Sequence, residues 1–313
     1  MDTAAGRTLA RRDVLLLALA AACWGVGTVV SKRAIEEMPP LVLFPVQLAG
    51  SLLVLALLMR RAGLPLAGGS PLLGRLGMLN PGLAYALGLI GLTYISASLY
   101  VLLWALEPLL ILVLAGVFLG ERISARFLLL SVVAATGMGL VVYQPASAGQ
   151  WPGVVLTLAG VGCCAAYTVI ARRWVGTADS TAQVVLAQQV WALGFAVVVA
   201  VGAAVLGGTP GWSGLSPAGL LAALASGLLY YAAAYWFYLS ALRTVPASLA
   251  ATAFYLIPVF GLVASFLLLG DRLEPTEWVG VAIVVAAILS IIRLSTREPA
   301  APTTAARPAE AAR

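Results

Sequence analysis

Ten stretches of the 313-residue chain are apolar for long enough to cross a lipid bilayer, whose hydrocarbon core takes about 20 mostly apolar residues per helix. They fall at about 14–30, 41–59, 76–94, 98–119, 127–143, 154–170, 184–206, 220–241, 247–269 and 278–292. Backbone polar groups find no water in hydrocarbon, so each run has to bond internally, as a helix. The connectors, such as Glu36 to Pro40 and Gly207 to Trp212, are short and rich in Pro, Gly and charge. None is long enough for a soluble domain. The predicted fold class is therefore all-α and integral to a membrane, with ten transmembrane helices.

Charge sets the orientation. Only 10% of residues are charged, against about 25% in a soluble domain, so the net +6 is too thinly spread for a continuous basic face and no nucleic-acid partner is expected. With the N-terminus inside, fifteen of the eighteen Lys and Arg face the cytoplasm: Arg7, Arg11, Arg12, Arg60, Arg61, Arg75, Arg122, Arg126, Arg172, Arg173, Arg243, Arg293, Arg297, Arg307 and Arg313. Lys32, Arg33 and Arg272 remain outside. Cytoplasmic loops carry the excess of cations, so an even number of spans with both termini in the cytoplasm is expected. The run after Arg12 continues past Ala18-Leu19-Ala20 and is followed by nine more, which argues against a cleaved signal peptide.

Zero histidines remove Ser-His-Asp, Cys-His and HExxH chemistry together. Cys23, Cys163 and Cys164 lie in apolar runs without CxxC spacing, so they read as small packing residues, and neither a disulfide framework nor a metal site is expected. No GxxxxGK[ST] is present to bind a nucleotide. Asp13, Asp179 and Asp271 stand at span ends or in loops, away from any membrane-protease pairing. The chain is expected not to be an enzyme and to need no cofactor.

The sequence repeats itself. Residues 96–124, SASLYVLLWALEPLLILVLAGVFLGERIS, align with 246–274, PASLAATAFYLIPVFGLVASFLLLGDRLE, with ten of twenty-nine positions identical at an offset of 150 and no gap. Pro108 pairs with Pro258, Gly120 with Gly270, Arg122 with Arg272, and Glu121 with Asp271 in charge. CWGVGTVVSKR at 23–33 aligns with CCAAYTVIARR at 163–173 at an offset of 140. Each half then holds five helices, and because five is odd the second half enters the membrane inverted, an architecture common in secondary transporters with a midplane site between the repeats. The expected organisation is a cytoplasmic segment at 1–12, five-helix repeats at 13–143 and 151–294, and a disordered cytoplasmic tail at 295–313.

On these motifs the body of the chain resembles the drug/metabolite transporter superfamily, EamA type: each half carries a fourth helix with a small-residue start, a central proline and a LeuGly-acid-Arg end. Asp271 is a small departure from the more usual Glu. The resemblance implies a central cavity and efflux of amino acids, related metabolites or drugs across the cell inner membrane.

A charged side chain at mid-membrane costs roughly 2.5 to 3.5 kcal/mol on insertion scales and is a functional candidate by default. Glu107 is the one acid so placed, immediately before Pro108, and its twin in the second half is Ile257. It could take up and release a proton, coupling transport to a proton gradient, or pair with a substrate amine; it could also be glue between helices. Tyr100, Trp104 and Glu107 share a helix face, as do Trp24, Thr28 and Ser31, and Tyr231, Tyr235 and Tyr238. Trp24, Thr28, Asn80, Tyr100, Trp104, Tyr231 and Tyr235 are therefore candidates to bind substrate beside Glu107, although aromatics near helix ends also anchor at the interface. Gln47, Gln188 and Gln189 are weaker polar candidates. Pro108 and Pro258 should break their helices and leave the carbonyls of Trp104 and Phe254 unpaired. Gly25, Gly27, Gly160 and Gly162 should let spans one and six approach closely. No Lys or Arg sits at mid-membrane, which disfavours phosphate-bearing substrates.

Two readings follow. The first is a secondary-active exporter of a small neutral, zwitterionic or cationic metabolite, with the lipid bilayer, the solute and protons as partners and a homodimer left open. The second is a non-transporting membrane scaffold or sensor, because fold alone does not prove flux.

Overall fold

The computed structural model describes residues 11–67, 71–119, 125–142, 149–174, 181–206, 216–242, 254 and 256–295. Regular structure among them is helical throughout. Helices α1 (Arg11–Ala34) and α2 (Pro40–Arg61) are followed by a segment running from Pro71 to Tyr94. In that segment α3 (Pro71–Arg75) passes through one 3-10 turn and a kinked stretch, Leu79–Leu83, with Asn80 in an extended conformation (φ −142°, ψ 118°), into α4 (Ala84–Tyr94). Next come α5 (Ala97–Trp104), α6 (Glu107–Leu119), α7 (Ala125–Val142), α8 (Trp151–Trp174) and α9 (Thr181–Val205). Then α10 (Pro217–Gly227) passes through a π stretch, Leu228–Ala233, into α11 (Ala234–Leu242), and α12 (Ile257–Leu268) and α13 (Pro275–Ser295) complete the described chain.

Among the described residues, six segments are long and apolar enough to cross a membrane: Arg11–Ala34, Pro40–Arg61, Pro71–Tyr94, Trp151–Ile170, Ala182–Val205 and Pro217–Tyr238. At 1.5 Å per residue their 20 to 24 residues span about 30–36 Å, the thickness of the hydrocarbon core. Shorter apolar helices lie at Ala97–Ile111, Ile257–Leu268 and Trp278–Ala287. The usual soluble pattern is reversed. Val198, Val201, Leu221 and Leu267 are each more than half exposed, while Gln47, Ser51, Gln189 and Ser226 are fully buried.

Packing joins the two halves of the chain throughout. The α1 helix lies against α10, α11 and α12; α8 lies against α4 and α6; α2 pairs with α9, and α7 with α13. Glycines allow the closest approaches. A Cβ on Gly25 would stand 2.7 Å from the backbone of Ile257 and Gly261 in α12, and one on Gly160 would stand 2.5 Å from the Ala84 carbonyl in α4. Gly27 faces the Tyr230 ring, and Gly162 has nothing within 4 Å. The small residues of span one thus admit spans eight and nine, and Gly160 of span six admits span three; neither set brings spans one and six onto each other, because small faces accept whichever neighbour the topology supplies.

The fourth run differs from the expected single helix. It stops at Trp104 and restarts at Glu107, so Pro108 is the second residue of a new helix. Pro258 likewise stands second in α12. A proline in the first turn forfeits no intrahelical bond, because the first amides of any helix lack partners within it. The kink expected within a continuous fourth helix is therefore a break placed two residues earlier. Gly120, Glu121, Arg122 and residues 247–253 lie outside the described residues.

Candidate functional site

Glu107 opens α6, where a carboxylate meets the positive end of the helix dipole. It faces a cavity of about 260 Å³, just below the usual range of ligand pockets, about 300 to 1,000 Å³. Of the residues expected from sequence, Trp24, Thr28, Asn80, Tyr100, Trp104, Glu107, Tyr235 and Pro258 all line it. Tyr231 does not. It lines a much smaller neighbouring void with Ser31 and Gln47, and its ring lies 6.3 Å from that of Phe44. Pro108 belongs to the backbone of α6 directly after the acid.

The walls are largely aromatic. Trp24 meets Tyr235, Tyr238 and Phe254 edge to face, at centroid distances of 5.5, 5.8 and 5.3 Å. Across the cavity Tyr85 stacks on Trp104 at 5.1 Å and 16°, and its ring stands 5.4 Å from that of Tyr230. Polar atoms are few. Cys164 lines the cavity together with Glu107, and Gln188 Nε2 donates to the Tyr167 hydroxyl at 2.7 Å and to the Leu73 carbonyl at 3.2 Å. Thr28 Oγ1 donates to its own helix, at the Trp24 carbonyl, 3.1 Å away. Three buried atoms at this wall, the Trp24 and Trp104 indole N–H groups and Asn80 Oδ1, have no protein partner.

Both interruptions bear on the cavity. A π turn brings residues i and i+5 over one another, where an α turn would favour i and i+4. Tyr230 and Tyr235 are separated in this way around Leu228–Ala233, while Asn80 stands at the kink within Leu79–Leu83 and Tyr85 follows it; all four line the cavity. The 3.6-residue spacing that grouped Tyr231 with Tyr235 missed this change of phase. The lining also falls into twins at the two sequence offsets: Trp24 with Cys164, Thr28 with Thr168, Asn80 with Tyr230, Tyr85 with Tyr235, Trp104 with Phe254 and Glu107 with Ile257. Applied residue by residue, those offsets are the signal that could have found Cys164, Thr168, Tyr85 and Tyr230.

The EamA-like transporter family model matches residues 11–143 and again residues 151–293. The chain belongs to the EamA-like transporter family. A curated relative, the uncharacterized transporter YvbV of Bacillus subtilis (strain 168), is 33% identical over 138 residues, which cover 41% of this chain and 45% of the relative. A protein of known crystal structure shares the fold with a TM-score of 0.64 at 16% identity, over 91% of this chain and 99% of that one. This EamA-like chain is thus a multi-pass membrane protein of a transporter family, and the aromatic cavity with Glu107 at its wall is its candidate substrate site.

One end of the bundle carries its own polar links. Lys32 Nζ donates to the carbonyls of Leu92 and Ile95 at 2.7 Å each, beyond the last turn of α4, where a cation suits the helix dipole. Gly270, with φ +73°, ends α12 in the left-handed conformation that favours glycine. The Asp271 carboxylate that follows accepts from Ser265 of α12 and, at 3.2 Å, from the Ser98 hydroxyl of α5. Glu37 accepts from the Ser216 hydroxyl at 2.6 Å and the Ser216 amide at 3.1 Å, at the start of α10. The two donations, the hydroxyl's first, hold the Glu37 carboxyl below its ordinary range.

Proposed function

We propose that the chain is a ten-helix secondary exporter built from two inverted five-helix repeats, moving a small amino acid-like or amine metabolite, or a drug, by alternating access. The observation that carries this reading is Glu107, the one carboxylate among the described lining residues, in a cavity whose wall is made of twin positions from both halves. The packing supports the repeat: α1 against α10–α11 has its counterpart in α8 against α4, and α1 against α12 in α8 against α6. The helix interruptions at Leu79–Leu83 and Leu228–Ala233 also overlap at the offset of 150. Substrate sites of inverted-repeat transporters lie where broken helices of the two halves meet, near the bilayer midplane, and α6 and α12 both start at the cavity.

Both termini are assigned to the cytoplasm of a cell that holds the protein in its inner membrane, on the bias of Lys and Arg. The end bearing Lys32, Glu37 and Asp271 then faces outside. Glu107 serves as the amine partner and as the proton carrier, the two cargoes exchanging on one carboxylate.

The test is flux. Proteoliposomes holding the purified chain, with an imposed pH gradient, are offered a mixed pool of amino acids and small amines, and mass spectrometry identifies what crosses. Gradient-dependent movement of at least one compound is expected, falling at least tenfold in Glu107→Gln. Movement unchanged in that variant removes Glu107 from the mechanism. No movement of any compound favours the scaffold or sensor reading.

A further inference from the structure

We propose that the cavity selects an organic monocation, with an apolar body and a neutral hydrogen-bond acceptor, over the corresponding zwitterionic amino acid. This rests on the transporter reading above and narrows its substrate class. The argument begins with charge. Glu107 supplies one negative charge to the wall, while every Lys and Arg of the sequence lies at the end of an apolar run or between runs. An ammonium entering the cavity is matched by that carboxylate. A substrate carboxylate brought in with it meets no cationic side chain among the described lining residues, and burying an unpaired charge is costly.

The walls point the same way. Trp24, Tyr85, Trp104, Tyr235, Tyr238 and Phe254 present ring faces and edges around the space, and aromatic faces attract cations through their quadrupoles. Trp104 is three residues from Glu107 and stacked on Tyr85, so the acid and the rings serve one charged head. The three unpartnered buried atoms define what else the ligand carries. Asn80 Oδ1 requires a donor, which an ammonium or hydroxyl provides; the Trp24 and Trp104 indole N–H groups require acceptor lone pairs, which a hydroxyl, ether or carbonyl oxygen, with two such pairs, provides without a second charge. The cavity volume of about 260 Å³ suits a body the size of one aromatic ring with a short chain.

Four probes of nearly one shape separate these elements: phenylalaninol, 2-phenylethylamine, phenylalanine and 2-phenylethanol. Binding to the purified full-length chain in detergent is measured by isothermal titration calorimetry at pH 7. Phenylalaninol is expected to bind most tightly and 2-phenylethylamine next, with phenylalanine at least tenfold weaker than phenylalaninol. Glu107→Gln should weaken both amines at least tenfold and leave 2-phenylethanol unchanged, provided its circular dichroism and elution match the parent. If that variant does not fold, the order of the four ligands on the unaltered chain decides. Trp24→Phe should bring phenylalaninol down to the level of 2-phenylethylamine. Phenylalanine binding as tightly as phenylalaninol, or neither amine binding, overturns the inference. Flux in proteoliposomes separates the two readings: transport of other solutes with the wrong binding order sinks the selectivity alone, and the right order without flux sinks transport alone.

Discussion

Gln47 holds three helices together from one buried position, donating from Nε2 to Ser31 of α1 at 2.9 Å and to Ser226 of α10 at 2.7 Å. Replacing it with Leu removes both donations in an apolar interior, leaving Ser226 only its bond to the Ala223 carbonyl at 2.9 Å. Interhelical hydrogen bonds in membranes average about 0.6 kcal/mol and reach about 1.7, so Gln47→Leu should cost roughly 1–2 kcal/mol, read from denaturant titration in detergent micelles. At this scale the sequence was partly legible. Glu107, Trp104 and Tyr100 stood out because a charge and large rings in hydrocarbon are costly or conspicuous, and all three line the cavity. Cys164 read as packing because a thiol carries little polar signal, yet it lines the cavity with Glu107. The three glutamines looked alike in sequence and differ in place: Gln188 lines the cavity, while Gln47 and Gln189 bond between helices. One-dimensional spacing cannot tell a residue facing a void from one facing a neighbouring helix.

Among elements, the spans were legible and their interruptions less so. Hydrophobic length identified the long helices to within a few residues, except that the third begins at Pro71 instead of Leu76. The π stretch at Leu228–Ala233 left no mark in composition, since its cause is how the backbone bonds, and it turned Tyr230 toward the cavity in place of Tyr231, whereas the kink at Asn80 was marked by Pro81. Glycine contacts are equally local. A methyl on Gly25 would press on the backbone of α12 at 2.7 Å, where no side chain can swing away. Gly25→Ala should therefore destabilise the protein by about 1–3 kcal/mol, the usual cost of overpacking. Gly162→Ala, with open space around it, should leave the melting temperature nearly unchanged in the same thermal scan.

Across the whole molecule, the halves are joined at one end by contacts that a rocking motion would have to break: Glu37 with Ser216, and Asp271 with Ser98. The first is sensitive to acid. Because Ser216 holds the Glu37 carboxyl below its ordinary range, the folded state binds this proton less readily than the unfolded one. The contact contributes fully above the unperturbed value of about 4.3 and is lost as pH falls through the lower folded value. Thermal melts between pH 7 and pH 3 should show the parent losing stability over that window, and Glu37→Gln, whose amide oxygen accepts at any pH, losing less. A pH-independent difference between the two would remove the titration from this contact. The packing around Trp24 has an optical consequence. Its indole lies within 5.3 to 5.8 Å of two tyrosines and a phenylalanine, close enough for light absorbed by the tyrosines to be handed to the indole before it is emitted. A solute lodged among those rings changes the path of that energy, so the occupied and vacant sites should differ in colour and brightness without any dye attached.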